Sequence, residues 1–215
     1  VSTPASLYLD FQIDDTPAAQ AKSVLSAAIE AAPVASVLLR PGQGAKIDSE
    51  TVRPLIALAQ AQGIAVLIAS ETGETNMLGA DGIHLIWSQD IIRSFKTARQ
   101  SASDAIVGAD AGRSRHDAME LGESGADYVA FGIPPHVEDR EKAAQRQRDL
   151  IVWWSELFEV PCVAFDVPDS IAAHGLAVVG ADFVSVSVTS SDTAKDAADR
   201  VRAFSEALRI PETAT

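Results

Sequence analysis

Four residues of complementary chemistry stand where short apolar runs give way to polar sequence: Asp10, Arg40, Asp110 and Asp166. Carboxylates gathered beside one guanidinium can receive a cationic or polyhydroxylated ligand, or hold a metal ion. The same groups can also neutralise one another as an ionic plug. His84, inside the run Gly82-Ile-His-Leu85, titrates near neutrality in its free form. It is therefore a candidate general acid or base, and equally a hydrogen-bonded strand residue facing inward. Ser70, Trp87 and Ser187 are the other polar or aromatic residues at such run ends. The cluster Thr189-Ser190-Ser191-Asp192 precedes an amphipathic segment. It reads as a helix N-cap, and free N–H groups there can hold a phosphate. His116 and His174 fall in amphipathic segments and His136 in a charged loop, where surface positions are expected.

Positioning these residues requires strands that end side by side. Short apolar runs occur at 7–11, 34–39, 65–68, 82–85, 106–108, 128–131, 162–165 and 183–187. Between them lie segments of helical period at 17–31, 49–62, 91–100, 114–124, 148–158, 170–179 and 193–208, with start signals at Ser49 and Pro17 and a stop at Gly63. Residues 70–80 hold at most a short helix. Consecutive parallel strands each need a crossover, so eight such alternations predict an α/β fold, a single (β/α)₈ barrel. The rival, a doubly wound open sheet, usually carries a glycine-rich first turn. Residues 11–15 contain no glycine. The stretch 133–147, with its proline pair and dense charge, reads as an irregular loop.

A local repeat supports the alternation. Gly79-Ala-Asp, Gly125-Ala-Asp and Gly180-Ala-Asp each stand directly before an apolar run. Glycine stops a helix and aspartate closes the turn onto backbone, so these carboxylates belong to the barrel's bottom, away from the strand ends that host chemistry.

Composition narrows the function classes. With 47% hydrophobic and 22% charged residues, the chain can bury a core, and one domain over 1–215 with a frayed tail from about residue 211 is expected. A net charge of −13 without a basic run disfavours nucleic acid and anionic lipid as partners. Any phosphate must rely on local N–H groups or a few placed cations. The only cysteine, Cys162, lies among apolar neighbours and cannot form an internal disulfide. No basic and apolar leader and no run of membrane-spanning length occur, so a soluble, cytoplasmic protein is expected. The adjacent Trp153 and Trp154 cannot both face inward on a helix. Part of one is expected at the surface, hinting at an interface such as a homo-oligomer contact.

The order of the motifs resembles the thiamine phosphate synthase/TenI family. The matching pieces are Leu38-Leu39-Arg40, Gly79-Ala-Asp-Gly-Ile-His-Leu85, Ile106-Val-Gly108, Gly125-Ala-Asp-Tyr-Val-Ala-Phe-Gly132 and Pro161-Cys-Val-Ala164. Resemblance to that family implies a (β/α)₈ barrel related to enzymes of thiamine biosynthesis. The synthases join a hydroxymethylpyrimidine diphosphate to a thiazole phosphate with magnesium, and the TenI-type members are tautomerases. It also implies phosphate-binding roles for Arg40, which survives from the second-strand pattern, and for Arg140, which stands where the family has a lysine. Ser187, Thr189 and Ser190 are further candidates for substrate or phosphate contact.

Other family positions read differently here. The magnesium-binding carboxylates after the third and fourth strands are replaced by Ser70 and Gln89, with Asp90 one residue late. The phosphate-binding Gly-Gly after the seventh strand is Asp166-Val167, and the tautomerase histidine aligns with Gly112. No cofactor and no metal site follow from the residues themselves. Two expectations remain: an enzyme of this superfamily with altered chemistry, or a non-catalytic barrel that binds a small phosphorylated or polar molecule or a protein.

Overall fold

The computed structural model describes residues 4–42, 48–72, 77–133 and 137–209. Its strands are β1 (Ser6–Ile13), β2 (Ser36–Pro41), β3 (Ala65–Ser70), β4 (Gly82–Leu85), β5 (Ile106–Asp110), β6 (Tyr128–Phe131), β7 (Cys162–Ala164) and β8 (Phe183–Thr189). They pair in chain order, all parallel, and β8 closes on β1. The helices are α1 (Ala18–Ala31), α2 (Ser49–Gln60), α3 (Ile91–Ser101), α4 (Arg115–Glu123), α5 (Arg140–Leu157), α6 (Ser170–Val178) and α7 (Ala194–Leu208). The expected (β/α)₈ barrel is thus observed. No helix is described between β3 and β4.

Strand alternation sorts the side chains into two cores. On β1, Leu7, Leu9, Phe11 and Ile13 join the large cluster between strands and helices, whereas Tyr8 joins Leu38, Leu67, Tyr128, Ala130, Val163 and Phe165 inside the barrel. One glycine shapes this interior. A Cβ on Gly108 would overlap the Tyr128 ring, so only glycine lets that ring lie across β5.

The expected loop at 133–147 is corrected: α5 begins at Arg140, well before residue 148. Asp139 caps it, accepting from the Lys142 N–H at 3.0 Å. Its buried face is Ala143, Gln147, Leu150, Ile151 and Trp154, a helical period in which glutamine and alanine take the first places. Dense charge on the other faces concealed that stripe. The α2 cap is Asp48 rather than Ser49, accepting from the Glu50 and Thr51 N–H groups at 2.9 Å each. His136 and the tail from residue 211 lie outside the described residues.

The Gly-Ala-Asp repeat does more than close turns. Gly79, Gly125 and Gly180 adopt φ of 101°, 89° and 107°, and the following aspartates each reach an N–H within the first two residues of the preceding strand. Asp81 accepts from Val66 at 2.8 Å, Asp127 from Val107 at 2.7 Å and Asp182 from Cys162 at 2.8 Å. Each even strand β4, β6 and β8 is thereby tied to its odd neighbour at the bottom of the barrel. Replacing Asp182 by Ala should leave the Cys162 N–H unpaired and lower stability by about 1–2 kcal/mol. Urea unfolding checks this, and an unchanged midpoint would refute the tie.

Trp154 is buried, its indole N–H donating to the Val160 carbonyl at 2.7 Å. Trp153 is half-buried beneath the Arg115 guanidinium, 4.8 Å from its ring centroid. Among the described residues no helix is long and apolar enough to cross a membrane.

Candidate functional site at the barrel mouth

Alternation aims every second side chain of a strand into the barrel, and at the carboxyl ends it gathers the charged residues. Asp10 is 1% exposed. Its Oδ1 lies 2.7 Å from Arg40 Nε, and its Oδ2 accepts from the Ser187 hydroxyl at 3.2 Å. The Arg40 contact is ionic rather than a hydrogen bond, because neither Asp10 Oδ1 nor Arg40 Nε has a partner in hydrogen-bonding line. Burial raises the Asp10 carboxyl, Arg40 opposes this, and the Asp166 carboxylate adds to it, leaving the pKa at about 6.

Asp110 and Asp166 turn towards a common space. Asp110 Oδ1 accepts from the Gly112 N–H at 2.7 Å. Burial pushes its pKa up to about 7, with the Gly112 N–H opposing and Asp166 adding. Asp166 follows β7 in the left-handed backbone region, φ 56°, where aspartate is one of the few tolerated side chains. Its Oδ2 accepts from the Ile133 N–H at 2.8 Å. Burial raises its pKa too, against that N–H, Arg40 and Arg140. A Cβ on Gly132 would stand 2.7 Å from Asp166 Oδ2 and 3.5 Å from Asp110 Oδ2. Only a bare glycine lets the Asp166 carboxylate pack this closely beside Asp110. Gln147 keeps this corner in place, its amide donating to the Phe131 and Phe165 carbonyls at 2.7 and 2.6 Å.

Trp87 stands beside the same corner. It is 41% exposed, and a Cβ on Gly112 would come within 2.7 Å of its indole Cδ1. The indole therefore rests on the residue whose N–H holds Asp110.

His84 sits in the barrel interior, 3% exposed. Its Nδ1 is 2.8 Å from the Tyr128 hydroxyl, which is 2.8 Å from the Tyr8 hydroxyl. The imidazole stacks on Tyr128 and lies 5.0 Å from the Phe165 ring centroid. Burial and then the Arg40 charge lower its pKa to about 3, so near neutrality it is an uncharged hydrogen-bonding group with no proton to donate as an imidazolium. Tyr8, Tyr128, Gly132 and Gln147 were not singled out by sequence. Their signal was available only as inward alternation and as the polar first place of the α5 stripe.

The phosphate candidates separate. Arg140 Nη1 reaches the Ile133 carbonyl at 3.4 Å and its charge acts on Asp166, so it belongs to the mouth. Ser187 is the hydroxyl on Asp10. In the segment read as an N-cap cluster, the cap of α7 is Thr193, while Thr189 N–H donates to Asp192 Oδ2 at 2.9 Å and Ser190 N–H to the Gln12 carbonyl at 2.8 Å. Ser190 Oγ meanwhile accepts from the Asp14 N–H and the Thr16 hydroxyl at 2.9 and 2.7 Å. An anion there would have to displace a carboxylate that Arg200 already pairs. His116 is exposed, and His174 is half-buried with Nδ1 3.1 Å from the Ala207 carbonyl. Burial pushes the Cys162 thiol up to about 12, leaving it an inert core group.

The magnesium that the resemblance implies does not fit these residues. Ser70 and Gln89 offer neutral oxygens, and Gln89 and Asp90 are both exposed at the approach to α3. A hard dication prefers anionic oxygen. Among the described residues no three His, Cys, Asp or Glu side chains gather as a set of metal ligands, the mouth aspartates included.

A closed parallel barrel with polar groups collected towards the carboxyl strand ends defines a (β/α)₈ protein, and that is the face where such barrels carry their sites. The sequence model described as thiamine monophosphate synthase matches residues 9–200, and the chain belongs to that family. It is 38% identical over 186 residues to a thiamine-phosphate synthase from Hyphomonas neptunium, covering 84% of this chain and 83% of that one. To the thiamine-phosphate synthase of Rhodospirillum centenum it is 36% identical over 166 residues, covering 75% and 78%. Its fold superposes on thiamine phosphate pyrophosphorylase from Pyrococcus furiosus with a TM-score of 0.68, at 18% identity over 94% of this chain and 95% of that one.

Proposed function

We propose that this barrel keeps the fold of its family and the arginine of its second strand, but not the metal-assisted joining of a pyrimidine diphosphate to a thiazole phosphate. On this reading its mouth binds a small polar molecule. One observation carries the proposal: the Asp166 carboxylate accepts the Ile133 N–H at 2.8 Å within the fields of Arg40 and Arg140. That is the kind of donor-rich, cationic setting an incoming phosphate needs. Here it is filled by a charge belonging to the chain, and a second anion would meet Coulomb repulsion from it. The neutral Ser70 and Gln89 support the same reading.

A second reading has its own support. Asp10 at about 6 and Asp110 at about 7 are poised near neutrality for proton transfer, so an enzyme of different specificity could use them as acid and base. Either role suits a cytoplasmic protein, in keeping with its lone buried thiol. The acidic balance makes a small molecule or a protein a better partner than nucleic acid.

Incubated with magnesium, hydroxymethylpyrimidine diphosphate and thiazole phosphate, the purified protein should form no thiamine phosphate above background. Product formed at roughly 1 s⁻¹ or faster, an ordinary enzymatic rate, would overturn the proposal.

A further inference from the structure

We infer that the bottom of the barrel holds a second site, which takes an uncharged aromatic molecule of about two rings bearing one hydrogen-bonding group. The site lies at the amino ends of the strands, opposite the mouth, and stands apart from the function proposed above.

A cavity of about 320 Å³ opens there. Its floor is the buried set Tyr8, Leu67, Tyr128 and Val163, and exposed Ala35 and Asp127 stand at its rim. Barrels of this kind fill their interior with layers of bulky branched side chains. Here the lowest inward places on β2 and β3 are Ser36 and Ala65, partners in strand register, while the adjacent Val37 and Val66 face the helices. Two small side chains together leave a gap that a leucine would close. An apolar cavity of roughly 150 Å³ admits a benzene ring, so the larger volume suits two fused rings.

Tyr8, Tyr128 and Phe183 give the lining its aromatic rings, against which a flat apolar ring packs edge-on or offset. The Tyr8 and Tyr128 hydroxyls are already bonded to each other, and Tyr128 also to His84 Nδ1, at 2.8 Å each. Asp127 Oδ2 accepts the Val107 N–H and pairs with Arg99. Ser36 differs. It is 9% exposed, strand alternation with Leu38 turns its side chain inward, and its hydroxyl makes no hydrogen bond with any described residue. A buried hydroxyl without a partner on an apolar wall calls for a ligand that brings one. A charged ligand fits poorly. A cation would meet only a carboxylate that Arg99 already pairs, and an anion would be repelled by that same Asp127.

Equilibrium dialysis of the full chain against 2-naphthol, naphthalene and 2-naphthoate separates the possibilities. The three share a ring system and differ in hydrogen bonding and charge. 2-Naphthol should bind at least about tenfold more tightly than 2-naphthoate. Ala65→Leu, which fills the gap, should weaken 2-naphthol by at least about tenfold. Ser36→Ala should weaken 2-naphthol by about fivefold and leave naphthalene unchanged, since it removes a hydroxyl and keeps the shape. Circular dichroism confirms that each variant is folded. Undiminished binding in Ala65→Leu would overturn the placement at the barrel bottom. A Ser36→Ala variant that binds 2-naphthol as the parent does, or loses naphthalene equally, would overturn the role of the hydroxyl. Equal binding of 2-naphthoate would overturn the uncharged class, and failure of 2-naphthol to bind would overturn the inference as a whole.

Discussion

Asp110→Asn should make the protein more stable than the parent at pH 8, by about 2–4 kcal/mol, and leave the two nearly equal at pH 4. Asp110 titrates at about 7 in the folded chain against 3.8 as a free group, chiefly because burial disfavours its charge. A carboxyl whose folded pKa is raised contributes stability that is fully present below the unfolded value and lost as pH rises through the folded one. Between about pH 4 and pH 8 the parent must therefore pay for an ionised, largely desolvated group that the unfolded chain ionises freely. Asparagine keeps the shape and can still accept the Gly112 N–H now held at 2.7 Å, but it has no charge to bury. Asp10, raised to about 6, steepens the same decline in the parent. Urea unfolding at pH 4, 6 and 8 checks this. Parallel pH profiles for parent and variant would show that Asp110 is not the group responsible.

Arg40→Met should destabilise the protein by about 3 kcal/mol at pH 8, since removing the partly exposed arginine leaves the buried Asp10 charged and unpaired. Asp10 is 1% exposed, and Arg40 Nε at 2.7 Å is its counter-charge. Ser187 supplies a single hydroxyl contact at 3.2 Å, which cannot replace a full charge. The loss should shrink at pH 4–5, where Asp10 protonates and no longer needs the arginine. The double variant Asp10→Asn, Arg40→Met should recover most of the stability at pH 8, because it removes the charge together with its partner. A double variant as unstable as Arg40→Met alone would mean that the arginine acts through packing of its stem rather than through charge.

The two variants bear differently on function. Asp110→Asn tests whether the mouth keeps a charge that the fold would rather lose, the pattern expected of a functional site. Arg40→Met tests whether the surviving family arginine now serves the chain's own carboxylate.

Much of the fold was legible because it is written in local chemistry. The alternation of β1, the glycine stops at residues 79, 125 and 180, and the hydrophobic stripes of the helices each lie within a short window. Where the local signal was diluted, the reading failed. The first turns of α5 carry Ala143 and Gln147 on the buried face, which look like solvent residues amid charges, so the sequence there reads as loop.

The site divides in the same way. Sequence by itself determined that Asp10, Arg40, Asp110, Asp166 and Ser187 would lie towards the carboxyl side of their strands, since parallel strands joined by crossovers all run to one face. Only the tertiary structure decided what they do there. Asp10 meets Ser187 across 177 positions, His84 meets Tyr128 across 44, and Asp166 caps the Ile133 N–H across 33. Those pairings, and the burial that shifts the carboxyl groups, arise when β8 closes on β1 and excludes water. Closure is a property of the whole barrel, and no window of sequence contains it.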